Sequence, residues 1–94
     1  MSTIDITRQH HLAPDQARAV IEHIADSLEH KFGVTPQWDG DTLRFARSGV
    51  DGFIALGAGF VHVNARLGLL LSPLKPMVEM EIRSKLDEYF PAAE

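Results

Sequence analysis

Three polar residues alternate along one predicted strand, and together their types could hold a carboxylate. His62, Asn64 and Arg66 are spaced two apart, so their side chains lie on one face of a strand. A histidine can act as a general base, an amide can donate hydrogen bonds and a guanidinium binds anions. Arg44, on a neighbouring predicted strand, could join them. We predict a ligand-binding face from these four residues. The more economical interpretation is that they are the polar side of a half-exposed strand.

The other reactive residue types do not combine into a convincing site. The chain contains no cysteine, which excludes thiolate zinc sites and thiol redox chemistry. It also lacks a Gly-x-Ser-x-Gly elbow and a glycine-rich phosphate loop. His23 and His30 lie about 10 Å apart along a predicted helix, and the adjacent His10 and His11 point to opposite sides of an extended segment. We therefore expect no catalytic residues, no metal and no cofactor, and a non-enzymatic role is favoured.

Charge and hydropathy limit the kinds of binding partner and the cellular compartment that the sequence allows. The formal net charge is −4, and Arg44, Arg47 and Arg66 are too few for a basic patch, so nucleic acid is not an expected partner. Apolar runs such as residues 67–71 are short, whereas a membrane-spanning helix needs about 20 residues. The N-terminus lacks the basic and apolar segments of a signal peptide. These features predict a cytoplasmic protein without a transmembrane segment.

The apolar run follows a strand whose alternation it interrupts. Leu69, Leu70 and Leu71 stand together just before a Ser-Pro break and a helix. In the first interpretation, Leu69 and Leu71 close the core and Leu70 packs beneath the end of the sheet. In the second, these leucines form an exposed hydrophobic surface with Phe60 and Met77, which would suit a partner or a lipid-like surface. The exposure of Leu70 distinguishes the two.

Hydrophobic periodicity places these residues on seven elements. Period-2 alternation predicts strands, and apolar spacings of three and four predict helices. Asp39-Gly40 is a strong hairpin signal. The predicted strands cover residues 3–9, 35–38, 41–47 and 53–56 and a long segment from 60, and the predicted helices cover residues 14–32 and about 74–90.

The order β-α-β-β-β-β-α favours one α+β domain over residues 1–94. Both predicted helices are amphipathic and need an apolar partner, so the economical arrangement is a two-layer sandwich. We expect a mostly antiparallel sheet with both helices on one face. The opposite face would carry His62, Asn64, Arg66 and Arg44, because an antiparallel sheet tolerates one solvated face.

Several short motifs together resemble a known bacterial family, the polyhydroxyalkanoic acid system proteins, also described as polyhydroxyalkanoate granule-region proteins. The resemblance covers nearly the whole chain, although each motif alone is unspecific. It implies a link to storage-polyester metabolism and carries over no catalytic residue. The motifs are Ile6-Thr7-Arg8 with His10 and Leu12, Ala17-Arg18, Trp38-Asp39-Gly40-Asp41, Phe45-Ala46-Arg47, Gly49-Val50-Asp51-Gly52, and Leu67-Gly68-Leu69-Leu70-Leu71 with Lys75.

The resemblance and the residues leave three hypotheses open. The first is a non-catalytic accessory protein that binds the surface of a polyhydroxyalkanoate granule, or a granule protein, through the hydrophobic surface. The second is a small-ligand module for a hydroxyacyl or other carboxylate-bearing molecule, held by Arg66, His62 and Asn64. The third is a structural module that forms a homodimer through its open sheet face.

Overall fold

The computed structural model describes residues 2–90 and has the predicted order of strands and helices, with one additional 3₁₀ helix. The elements are β1 (Ser2–Gln9), α1 (Pro14–Phe32), β2 (Thr35–Asp39), β3 (Thr42–Arg47), β4 (Val50–Gly57), β5 (Phe60–Leu67), the 3₁₀ helix (Leu69–Leu74) and α2 (Lys75–Tyr89).

The five strands form one antiparallel sheet in the order β1-β5-β4-β3-β2. Strands β2 to β5 follow one another as a meander. The Asp39-Gly40 hairpin is confirmed, since Asp39 pairs with Thr42 and Gly40 adopts φ 63°, a left-handed conformation that glycine reaches without a Cβ clash. Strand β1 pairs with β5 at the far side, with Ile4 opposite Ala65.

Both helices pack on the same face of the sheet, as predicted. On β5 the inward residues Val61, Val63, Ala65 and Leu67 are fully buried. The helices contribute their apolar stripes to this core: Ile21, Ile24 and Leu28 from α1, and Val78, Ile82 and Leu86 from α2. Alternation on β5 therefore assigns one face to the core and leaves the other open. The predicted α+β two-layer arrangement is confirmed.

One predicted strand begins earlier than expected. Strand β4 starts at Val50 and not at Phe53, so Gly52 lies within the strand, opposite Phe45 on β3. A Cβ at Gly52 would come within 2.6 Å of the Phe45 ring. The glycine leaves room for this ring inside the core. The Ser-Gly-Val-Asp-Gly sequence resembles one long turn, but only Ser48 and Gly49 form the turn itself.

The expectation that Leu69 belongs to the core was wrong, and so was the expectation that Leu70 packs beneath the sheet. Their side chains are 80% and 93% exposed. The strand ends at Leu67. The carbonyl of the next residue, Gly68, accepts a hydrogen bond from the Leu71 N–H (3.0 Å) at the start of the 3₁₀ helix. Residues three apart share one side of such a helix. Leu71 and Leu74 therefore pack against the core, and Leu69 and Leu70 point away.

Candidate functional site

Four exposed apolar side chains lie on the 3₁₀ helix and the first half of α2, and we call them the apolar end: Leu69, Leu70, Met77 and Met80. Met77 and Met80 are 59% and 70% exposed. They line a groove between the two helices, together with Phe32 at the C-terminus of α1. From residue 67 to residue 78 the chain has a single charged residue, Lys75. The apolar end is therefore a hydrophobic surface with little charge of its own.

The structure does not bring Phe60 to this surface. Phe60 begins β5, and Leu67 ends it, about 23 Å away at the usual rise per strand residue. The Phe60 side chain lies on the open face, directly over Gly57 of β4, where a Cβ would be 2.2 Å from the ring. Phe60 fills the space above a glycine, whereas Met77 is exposed on α2, a few residues after the leucines in the sequence.

A cavity of about 210 Å³ lies directly beneath the 3₁₀ helix, between the helix layer and the sheet. Leu71 and Leu74 cover it from above, and Val78 and Leu28 line it from the two helices. Phe32 borders both this cavity and the groove of the apolar end. The remaining lining residues are Lys31, Gly33, Val34, Phe45, Arg47, Val50 and Leu67.

Arg47 at the border of the cavity was not among the predicted site residues. We had grouped it with Arg44 and Arg66, but it follows Leu43 and Phe45 at spacings of two and so lies on the helix-facing side of β3. The Arg47 Nη1 donates a hydrogen bond to the Phe32 carbonyl oxygen (2.8 Å) at the end of α1. Strand alternation was the signal that could have separated Arg47 from the other two arginines.

Glu81 connects the two helices beside the groove. Its carboxylate accepts hydrogen bonds from Ser27 Oγ (2.5 Å) and Lys31 Nζ (2.8 Å), both on α1. The hydrogen bond from Lys31, followed by that from Ser27, lowers the pKa of Glu81. The Lys31 charge at the edge of the cavity is thus already paired with a carboxylate. This pair fixes the distance between the helices that frame the groove.

On the open face, the predicted ligand-binding residues lie together but already contact acidic groups of the protein. Asp5 on β1 accepts hydrogen bonds from Asn64 Nδ2 (2.9 Å) and His62 Nε2 (3.0 Å). The Asn64 bond, followed by the His62 bond, lowers the pKa of Asp5. A carboxylate ligand would compete with Asp5 for both donors.

The two arginines of the open face are similarly placed. Arg44 Nε lies 3.7 Å from Asp39, and Arg66 Nη2 lies 4.0 Å from Asp51. They border a shallow depression beside Phe53. A face whose cations and donors each have an internal acidic partner carries little attraction for an added anion. Binding of a carboxylate on this face stays a prediction.

Among the described residues, no three histidine or acidic side chains gather into a metal site. His10 is buried against Phe90, with ring centroids 4.7 Å apart, and its Nδ1 accepts a hydrogen bond from the Leu12 N–H (3.1 Å). Burial lowers the pKa of His10. His23 stacks on Tyr89 with 5.6 Å between ring centroids. These contacts give His10 and His23 structural roles.

Within residues 2–90, neither α-helix combines the length and the hydropathy needed to span a membrane.

Comparison with known proteins identifies one family. No curated protein and no solved structure matches the chain. A family described as "Putative polyhydroxyalkanoic acid system protein" matches residues 4–90, which include both helices and all five strands except the first two residues of β1. The chain therefore belongs to the polyhydroxyalkanoic acid system protein family, as its sequence motifs had indicated.

Proposed function

We propose that this protein is a non-catalytic accessory protein of the polyhydroxyalkanoic acid system that binds the hydrophobic surface of the storage granule through its apolar end. The observation that carries the proposal is the exposure of Leu69 and Leu70 on the 3₁₀ helix. The family name supplies the system. The site of action is then the granule surface in the cytoplasm.

The apolar end has the features expected of a surface-binding site. Isolated exposed apolar residues are common on soluble proteins, but clustered ones mark interaction surfaces. Here the two leucines are followed within a few residues by Met77 and Met80, and methionine side chains adapt to irregular surfaces. A storage polyester is irregular and largely apolar. Flexible thioethers beside fixed leucines suit such a target.

The expected gain in free energy is of the same order as the cost of association, so binding should be weak and reversible. Complete burial of one leucine or methionine side chain contributes about 1.5–3 kcal/mol. Four such side chains give a gross gain of roughly 6–12 kcal/mol. This is comparable with the roughly 4–15 kcal/mol that association costs in lost freedom. Loss of any one of the four should therefore weaken binding strongly.

The test is co-sedimentation of purified protein with washed polyhydroxyalkanoate granules. We expect the unmodified protein to sediment with granules and Leu70→Asp to stay in the supernatant, because a carboxylate placed on the polyester would lose its hydration. The matched control is Ala58→Asp, which adds the same charge in the exposed turn between β4 and β5, at the opposite end of the sheet. It should sediment normally.

Three results would overturn the proposal. The folded unmodified protein could remain soluble beside the granules. Leu70→Asp and Ala58→Asp could reduce sedimentation equally, which would indicate a general charge effect. Light scattering could also show a dimer that Leu70→Asp converts to a monomer. The apolar end would then be a subunit interface and not a granule-binding site.

A further inference from the structure

We propose that the cavity beneath the 3₁₀ helix binds an aliphatic carboxylate of about six to eight carbons, with its chain between the layers and its carboxylate on Arg47. The site is separate from the apolar end, although the two share the border residue Phe32. It also differs from the open-face site predicted from the sequence, since Arg47 lies on the other side of the sheet.

The cavity suits an alkyl chain. Its walls are formed mainly by aliphatic and aromatic side chains from all layers, including Leu28, Val78 and Leu71. An apolar cavity of about 150 Å³ in another protein holds a benzene molecule. The volume here is about 210 Å³, so it accommodates a somewhat larger group. Apolar cavities with few polar groups at one end are typical binding sites for small ligands.

Arg47 supplies the charge that a carboxylate needs. Within residues 2–90 no acidic side chain lies within 4.0 Å of its guanidinium, whereas Arg44 and Arg66 each have such a neighbour. One of its five N–H groups bonds to the Phe32 carbonyl, which leaves the others available. Lys31, the other cation at the cavity, is paired with Glu81. Arg47 is therefore the cation expected to bind the ligand head group.

The first test is titration calorimetry with butanoate, hexanoate, octanoate and decanoate below their micelle concentrations. Affinity should rise about fourfold with each added methylene while the chain is buried, and stop rising once the cavity is full, near eight carbons. NMR shifts should be largest at the methyl groups of Leu71 and Val78 and absent at Leu56, at the opposite end of β4.

The second test isolates the charge. Arg47→Gln should weaken octanoate binding about tenfold to a hundredfold, the usual loss for a hydrogen bond to a charged group. It should leave octan-1-ol binding unchanged. The matched control, Arg83→Gln, removes an exposed arginine of α2 that does not line the cavity, and it should leave octanoate binding unchanged. Thermal unfolding of both variants verifies that they are folded.

Comparison of octanoate with 3-hydroxyoctanoate distinguishes two sources of the same chemistry, free fatty acids and hydroxyalkanoic acids. Tighter binding of either ligand identifies the source. Equal octanoate affinity in Arg47→Gln and Arg83→Gln would overturn the proposal, as would an affinity that does not depend on chain length, or no binding of any chain. Leu70→Asp should bind octanoate normally, and Arg47→Gln should still sediment with granules, so failure of one proposal is distinguishable from failure of the other.

Discussion

Replacement of Gly52 by alanine tests the packing that joins the sheet to the cavity. The added Cβ would lie 2.5 Å from the Asn64 carbonyl oxygen and 2.6–2.7 Å from two atoms of the Phe45 ring. Neither neighbour can move cheaply, since the first belongs to the backbone of β5 and the second is a buried aromatic ring. Phe45 also lines the cavity. A shift of its ring would reduce the space available to a ligand.

The cost can be bounded from this geometry. Overpacking of a core typically costs about 1–3 kcal/mol. Alanine has less backbone entropy than glycine in the unfolded chain, which offsets roughly 0.5–1 kcal/mol of this cost. Because the contacts of the added Cβ lie at 2.5–2.7 Å, we expect a cost at the upper end of that range, about 3 kcal/mol. The net decrease in the free energy of unfolding is then about 2 kcal/mol, which corresponds to a decrease in Tm of roughly 8–16 °C for a chain of this size.

The assay is urea and thermal unfolding monitored by circular dichroism, with Gly68→Ala as the control. Gly68 has φ −66°, and a Cβ there meets only Gly49, at 3.6 Å, so alanine should be tolerated. Phe45→Leu should cost less in the Gly52→Ala background than in the unmodified protein, because a smaller side chain relieves the contact. Equal stability of the Gly52→Ala and Gly68→Ala variants would refute the close approach of Phe45 to Gly52.

Two further predictions concern titratable groups. Because burial lowers the pKa of His10 below 6.5, the unfolded chain takes up a proton first, and the free energy of unfolding should fall as the pH decreases through 6.5. Urea unfolding across this range should show a smaller dependence on pH in His10→Gln, and an undiminished dependence would contradict the assignment. Glu81→Gln should cost about 1 kcal/mol at neutral pH through its lost charge-assisted bond to Lys31. Because the folded pKa of Glu81 lies below 4.5, this difference should disappear as the pH falls through that lower value, and an undiminished difference in acid would contradict the assignment.

The sequence was sufficient for the layers of the fold because burial periodicity is local. Val61, Val63 and Ala65 alternate with polar residues, and a period of two leaves only one way to orient β5. The order of the strands required more, since β1 pairs with β5 and not with its neighbour in sequence. The two-layer arrangement followed from two amphipathic helices and one apolar sheet face, which cover each other.

The candidate site was only partly predictable. The exposure of Leu70 depends on the 3₁₀ helix, because its three-residue period decides which of three consecutive leucines faces the core. A run of identical residues has no hydrophobic periodicity, so the sequence could not show which leucine that is. The cavity depends on how far apart the α1 C-terminus and the α2 N-terminus lie, which the sequence does not encode locally. Arg47 could have been placed by alternation with Phe45, because the predicted strand 41–47 ends at the same residue as β3. The turn-like sequence that follows it concealed the start of β4.

The pairing of β1 with β5 has a consequence for the order in which the protein folds. Strands β2 to β5 are joined by short turns, so each pair closes a small loop at low entropic cost. Every β1–β5 pair instead joins residues more than fifty positions apart. Arg8 on β1 also bonds to Asp87 near the end of α2 (2.7 Å). Strand β1 is therefore expected to be the last to join the sheet, since it must wait until β5 has been synthesised.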